Sequence, residues 1–486
     1  MGYDEFLKEI KSVGIMSNVS ELLSWDQEVF MPPKAANIRA MELGTLAKVQ
    51  HKMFTDGKIR ELLKDINKDE LDEKQKANVR EIKLDLERSE KIPNDFTEEF
   101  AKLSAESLEA WKDAREKSNF SIFKPYLSRI IEMTKEYANY IDPHADPYET
   151  IFHDYEPNMS VEEVSTIFKQ IKNSLVPLIE KVKKKEQFDK TILEKKIPKE
   201  KKMMNSKHLA KVIGYDFKKG RLDESTHPFT SAYGRITTRY SEGWFSAIMS
   251  TLHEAGHGMY EHNLPIEHYA TPLGTARSLS VHESQSRFWE NIIGRSRSFW
   301  KGQLKTLQEE FSMDTDLDTF YKLANISEPG FIRVNADELT YPMHIILRFS
   351  IEQEILRNQL KLKDIQKRWN QLMQELLGIT PPTDRLGVLQ DTHWAMGGLG
   401  YFPTYLLGSM ISAQLWENMK KKITEIDKKI ENSDFDEIRN WLYENIHRHG
   451  KLYKTKELIT KATGKGPDAT DFINYLTKKF GYIYEI

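Results

Sequence analysis

Apolar side chains recur every three or four positions along most of this chain, and that period predicts a protein built mainly of helices. Through the first 140 residues the pattern is almost unbroken. Met41, Leu43, Leu46 and Val49 keep helical spacing, and Trp111, Phe120, Phe123, Tyr126, Ile130 and Ile131 form a core stripe. Met31-Pro32-Pro33 marks a turn. Val161 to Lys185 predicts another amphipathic helix, with Pro177 expected to kink or break it. Lys181 to Lys219 mixes lysines with acids and predicts an exposed helical pair or flap. One stretch breaks the helical period. From Gly214 to Arg239 glycine, proline and threonines predict extended chain, with a short strand over Arg235 to Tyr240. Helical spacing resumes afterwards, from Phe299 to Leu323, through His344 to Arg348, and over the last sixty residues.

The strongest helical prediction covers Glu242 to His262, where Trp244, Ile248 and Leu252 recur every four residues beside Phe245 and Met249. Pro265 closes it. This helix carries His253-Glu254-Ala255-Gly256-His257, an H-E-x-x-H pattern. Two histidines four apart share one helix face, so both imidazoles can reach one metal ion. Glu254 would lie beside a metal-bound water as its general base. Chance alone yields the pattern in roughly a few per hundred chains of such composition, so the reading needs a third ligand.

Glu283, 26 residues after His257, is the candidate. The interval leaves room for a loop through Pro265 and Pro272 and for a second helix, apolar on one side through Phe288, Trp289, Ile292 and Ile293. Two histidines and one glutamate leave a fourth position open, as a catalytic zinc site requires. A competing use exists: Ser280-x-x-Glu283 is also a capping box. His282 is a rival ligand expected to point to a different side of the helix.

Composition narrows the class. Apolar residues at 39% and charged residues at 30% of 486 positions describe a globular chain with a sizeable core. A net charge of -3 gives no field favouring nucleic acid or a membrane surface. The absence of cysteine leaves histidine and carboxylate as metal ligands and fits a reducing compartment. The first 23 residues lack the apolar core of a secretory signal, and no apolar run approaches the ~20 residues of a bilayer span, so a cytoplasmic enzyme is expected. No linker cuts the chain, which is expected to be one domain over 1–486, with two lobes around a groove.

Three further groups bear on chemistry. Asp337 is a candidate acceptor for the second N–H of a ligand histidine, or a helix cap. Arg348, among Ile345, Ile346, Leu347 and Phe349, needs a carboxylate partner, either a protein acid such as Glu352 or a substrate carboxylate. His393, Tyr401 and Tyr405, around Gly397-Gly398-Leu399-Gly400, can donate hydrogen bonds to the oxyanion of a tetrahedral intermediate, or serve as turn and core residues.

Several stretches together resemble the Taq-type thermostable metallocarboxypeptidases of the M32 family. They are Ser24-Trp25-Asp26-Gln27-Glu28, Gly220-Arg221-Leu222-Asp223, His227-Pro228-Phe229, His253 to His257, His282-Glu283-Ser284-Gln285, Ala336-Asp337-Glu338-Leu339-Thr340-Tyr341 and Gln390-Asp391-Thr392-His393-Trp394. The resemblance implies a mostly helical fold with a deep groove and a small β element beside the zinc helix, similar to angiotensin-converting enzyme and neurolysin. It implies release of single C-terminal residues with broad specificity, one zinc or cobalt ion per chain, and a homodimer. His253, His257 and Glu283 would be ligands and Glu254 the base; His393 with Tyr401 or Tyr405 would stabilise the intermediate. Arg348, His227 and Arg235 would contact substrate. The family's D-x-R-x-T reads here Tyr233-Gly234-Arg235-Ile236-Thr237, with tyrosine for aspartate. A zinc oligopeptidase sharing the site, and a helical scaffold with a vestigial motif, are the rival readings.

Overall fold

Helices occupy most of the chain in the computed structural model, which describes residues 2–241 and 243–486. Met1 and Glu242, the expected first residue of the H-E-x-x-H helix, lie outside the described residues. The first part of the chain forms the helices Gly2–Val29, Ala36–Thr55, Lys58–Asp65, Glu73–Ser89, Asn94–Glu116 and Phe120–Ile141, with a 3-10 turn at Pro33–Ala35. Side chains start some of them. Asp72 with Gln75, and Ser160 with Glu163, make reciprocal capping boxes. The Val161–Lys183 helix runs through Pro177 without ending. The proline removes one backbone donor, but Val164, Phe168, Ile171, Leu175, Ile179 and Val182 are buried along one face, and that burial outweighs the lost bond. The lysine-rich segment holds one helix, Lys199–Ile213, rather than a pair.

The only strands among the described residues lie where the helical period fails. β1 (Leu222–Glu224), β2 (Thr230–Ser231) and β3 (Arg235–Thr238) form a sheet in the order β1-β3-β2. β1 runs parallel to β3 with Leu222 opposite Ile236, and β2 antiparallel with Thr230 opposite Ile236. Ile236, Thr237 and Thr238 are fully buried, as β-branched side chains facing a packed surface. The surface they meet is the Trp244–His262 helix, where the Thr238 hydroxyl reaches the Ala247 carbonyl at 3.4 Å. The sheet therefore pins the H-E-x-x-H helix from one side.

Buried apolar side chains form one continuous core from Trp111 to Tyr484, and a smaller one under the first ninety residues through Phe6, Ile10, Ile59, Val79, Ile82 and Leu86. Trp244, Ile248 and Leu252 enter the large core at 0% exposure, fixing which face of their helix looks the other way, toward the site. No helix of the described residues is long and apolar enough to cross a membrane.

Candidate metal centre and active site

Three helices bring the metal candidates together. His253 and His257 project from Trp244–His262, and Glu283 from Leu279–Arg287. Pro403–Lys420 backs the second of these. The contacts are close enough to require glycine on both sides. A Cβ on Gly256 would stand 2.6 Å from the Gln285 carbonyl, and a Cβ on Gly408 would stand 2.6 Å from Glu283 Cβ. Glu283 is thus clamped between two helix backbones.

The capping alternative for Glu283 is not used. The Leu279–Arg287 helix is capped by the Ser278 hydroxyl, which accepts from Val281 N, and the buried Glu156 carboxylate takes Ser280 N at 3.1 Å. Glu283 Oε2 instead faces the histidines, 3.4 Å from His257 Nε2 and 3.7 Å from His253 Nε2. All three ligand atoms lie within 4.8 Å of one another. Ligands held tetrahedrally at roughly 2.0–2.1 Å from a zinc ion stand about 3.4 Å apart, so the donor set fits a divalent cation.

The other ring nitrogens are also engaged. Glu290 Oε2 accepts from His253 Nδ1 at 2.8 Å. His257 Nδ1 lies 2.5 Å from His282 Nδ1, and His282 Nε2 donates to Glu261 Oε1 at 2.8 Å. With Nε2 of each ligand histidine reserved for a cation, both Nδ1 protons have an acceptor, which fixes the tautomers. His282 therefore stands outside the candidate donor set and bonds to His257 and Glu261 instead. Asp337, the expected partner of a ligand histidine, is spent elsewhere: its carboxylate takes Leu339 N, Thr340 N and the Thr340 hydroxyl in the turn before the Tyr341–Leu356 helix. Glu290 reaches His253 because the second helix widens into a π-turn over Phe288–Ile293, a change of register that apolar spacing does not announce.

Electrostatics favour a cation here. Glu283 and Glu290 share one guanidinium, Arg287, at 2.6 and 3.1 Å. Burial opposes charge on His253, but Glu283 and Glu290 outweigh it and raise the proton affinity of the ring. Burial, with His282 beside it, pulls His257 down to about 3 and keeps the ring neutral, as a metal ligand must be. Burial raises the Glu254 carboxyl, against which the Thr230 hydroxyl of β2 donates to Oε2 at 2.6 Å.

A second cluster borders the first. Arg333 donates from Nε and Nη2 to Asp391 Oδ1 at 3.0 and 2.9 Å, and Arg348 donates from Nε to Asp391 Oδ2 at 2.7 Å. Arg348 is fully buried between the rings of Trp369 and Phe402. Its protein partner is Asp391, not Glu352, which lies deeper under the glycine-rich turn. In the sequence Asp391 stands only within a motif, without a role, and Arg333 is not singled out. Burial and Arg333 bring His393 down to about 4, and its Nε2 lies 3.1 Å from the Tyr405 hydroxyl. Tyr401 packs 5.3 Å from Tyr405, and burial with the nearby Glu283 charge raises its phenol to about 12. Tyr405 is raised as well, by burial first and then by Tyr401, so both phenols keep their protons. Tyr341 joins the clusters: its ring carries Arg287 at 4.5 Å and its hydroxyl accepts from Arg333 at 3.0 Å.

The two remaining substrate candidates sit on the sheet. His227 is exposed on the turn between β1 and β2. Arg235 opens β3 with its guanidinium packed on Trp25 at 4.6 Å and Tyr233 at 5.3 Å. Tyr233 itself adopts a φ of 61°, a conformation that aspartate takes more readily than tyrosine.

The profile of the family described as Carboxypeptidase Taq (M32) metallopeptidase matches residues 5–480. Carboxypeptidase 1 of Bacillus subtilis (strain 168) is 38% identical, over 99% of this chain and 98% of its own. Thermostable carboxypeptidase 1 of Thermus thermophilus is 35% identical over 99% of both chains. The crystal structure of an M32 carboxypeptidase from Deinococcus radiodurans R1 superposes with a TM-score of 0.96 at 32% identity, covering 100% of each chain.

Proposed function

The chain belongs to the Carboxypeptidase Taq (M32) metallopeptidase family and is a metal-dependent carboxypeptidase, and from that premise we propose which residues do the work. His253, His257 and Glu283 hold one divalent ion, zinc or cobalt, and the facing of two Nε2 atoms on one Glu283 oxygen carries this assignment. Such an ion supplies Lewis-acid polarisation of the scissile carbonyl and of a water. Glu254 takes the proton of the attacking water and passes it to the leaving amine nitrogen, with Thr230 holding its carboxylate in place. Tyr405 and Tyr401 donate to the developing oxyanion, and His393 Nε2–H orients the Tyr405 hydroxyl.

Arg348 and Arg333 receive the free carboxylate of a peptide. Two guanidiniums share the single carboxylate of Asp391, which leaves one positive charge unbalanced in a buried place beside Tyr405. A substrate carboxylate restores the balance, and an endopeptidase has no use for such a surplus. Edge strand β2 holds the peptide backbone, with His227 and Arg235 contacting residues upstream of the cleaved bond. We read the chain as a single peptidase domain over 1–486 with two lobes about a groove, the larger core running from Trp111 to Tyr484 and the smaller lying under the first ninety residues, and as a cytoplasmic homodimer. Stripping the metal with a chelator and titrating zinc or cobalt back tests the assignment. Activity should return at one equivalent per chain, and Glu283→Gln should abolish tight binding; a Glu283→Gln protein that keeps its metal would remove Glu283 from the ligand set.

A further inference from the structure

Glu352 is a charged side chain with no role in the chemistry above, on the inner face of the Tyr341–Leu356 helix and at 0% exposure. A carboxylate in such a place must be hydrogen-bonded to persist. Its partners are unusual in where they lie along the chain. Trp394 Nε1 donates to Oε1 at 2.8 Å. Gly400 N donates to Oε2 at 3.1 Å, and the Tyr148 hydroxyl to the same oxygen at 3.0 Å. Trp394 follows His393 directly, and Gly400 directly precedes Tyr401. One carboxylate therefore ties both ends of the turn whose flanking residues face the metal cluster.

The turn does not fix those ends by itself. Its internal bonds close its beginning, with Gly398 N on the His393 carbonyl at 2.7 Å and Met396 N on Thr392 at 3.1 Å. Gly400, with φ at 88°, presents its N–H to Glu352, and a Cβ at that position would press on Ile151 and Tyr155 at 3.3 to 3.4 Å. The third donor, Tyr148, is the second residue of the Pro147–Tyr155 helix, whose last residue packs edge-on against Tyr401 at 5.3 Å. A glutamine could not accept all three bonds in the same orientation, because one of its two terminal groups is a donor.

We propose that Glu352 is a positioning residue for this reaction: its carboxylate holds the His393 and Tyr401 ends of the glycine turn so that the oxyanion donors stand at a fixed place beside the metal ligands. It touches neither metal nor substrate and acts through Trp394, Gly400 and Tyr148. The inference rests on the assignment of Tyr401 and Tyr405 as transition-state donors, with His393 orienting the Tyr405 hydroxyl. Burial raises the Glu352 carboxyl to about 7 against three donors, with Arg348 the nearby cation favouring its charge.

The test uses the metal-loaded full chain and Glu352→Gln. Positioning predicts a fall in kcat of about tenfold or more with KM for a free-acid peptide within about twofold. Affinity for a peptide phosphonate, a mimic of the tetrahedral state, should fall in parallel, while bound metal and affinity for the product amino acid stay as in the parent. Parent-like kcat and phosphonate affinity, or a loss confined to metal content and KM, would overturn the proposal. Trp394→Phe, which removes only the indole N–H, should show the same pattern at smaller size, and it decides the matter if Glu352→Gln does not fold. Tyr405→Phe separates the two levels. If it leaves kcat intact, the assignment of the donors fails; if it lowers kcat while Glu352→Gln and Trp394→Phe do not, only the role of Glu352 fails.

Discussion

Glu283 and Glu290 share one guanidinium, Arg287; across Tyr341, Arg333 and Arg348 share one carboxylate, Asp391. The two clusters are near mirror images in charge. Counted within its own ion pairs, each holds one charge more of one sign, negative in the first and positive in the second. Unpaired buried charge is costly to keep, and in the function proposed here each surplus is met by a partner that arrives from outside the fold. On the assignment proposed above, the acid-rich side takes a cation, the base-rich side takes the α-carboxylate that a peptide presents only at its C-terminus, and the scissile bond lies between the two, next to Glu254 and Tyr405.

Breaking the acid-rich side gives the largest effect. Glu254→Gln should lower kcat by about 10²–10⁴-fold while the metal content, read by elemental analysis, stays at one per chain. A Glu254→Gln enzyme of parent activity would remove the base from the mechanism.

On the base-rich side, Arg333→Met leaves Arg348 and Asp391 as a balanced pair and takes away only the surplus charge. A charge-assisted hydrogen bond contributes about 1.5–3 kcal/mol, so kcat/KM for free-acid peptides should fall about 10–100-fold with the metal retained. Unchanged kinetics would mean that the surplus does not meet the substrate. Glu290→Gln sharpens the opposite side, since it weakens the hold on His253 without touching a ligand. Metal affinity measured by competition with a chelator should drop about 10–100-fold.

How much of this was readable beforehand follows the same division. The acid-rich side is local: His253, Glu254 and His257 ride one helix, and helical periodicity fixes their common face before any packing is known. Glu283 followed from the need for a third ligand. Glu290 did not, because its place depends on a π-turn that shifts register within an otherwise regular apolar stripe. The base-rich side is assembled from residues 15 to 58 positions apart in sequence, Arg333, Arg348 and Asp391, on different elements. Periodicity marks Arg348 as buried but cannot name its counter-ion, and the nearest acid on its own helix, Glu352, points into the glycine turn instead. Asp337 shows the converse error: an acid near the site in sequence, consumed by the backbone of its own turn.

Two smaller effects probe the packing that holds the clusters in place. Gly408→Ala puts a methyl group 2.6 Å from Glu283 Cβ, and should lower stability by about 1–3 kcal/mol and loosen the metal together. A drop in the unfolding temperature with no change in metal affinity would show that Glu283 can move and still bind. The pH dependence of unfolding gives the last. The folded Glu352 carboxyl is raised from 4.5 to about 7 by burial, so its contribution is fully present below about pH 4.5 and is lost as pH rises through 7. Glu352→Gln should therefore gain stability relative to the parent on going from pH 5 to pH 8, by an amount on the order of a few kcal/mol. An equal difference at both pH values would contradict the raised carboxyl.

The pairing of a cation side with a carboxylate side is tested most directly by one peptide offered in two forms, with a free C-terminus and with a C-terminal amide, and read by mass spectrometry over time. The expected result is a ladder losing one residue at a time from the free acid, an intact amide, and no cleavage of either after the metal is removed. Internal cuts in both forms would contradict it, since the surplus charge on Arg333 and Arg348 would then have no part in choosing the bond.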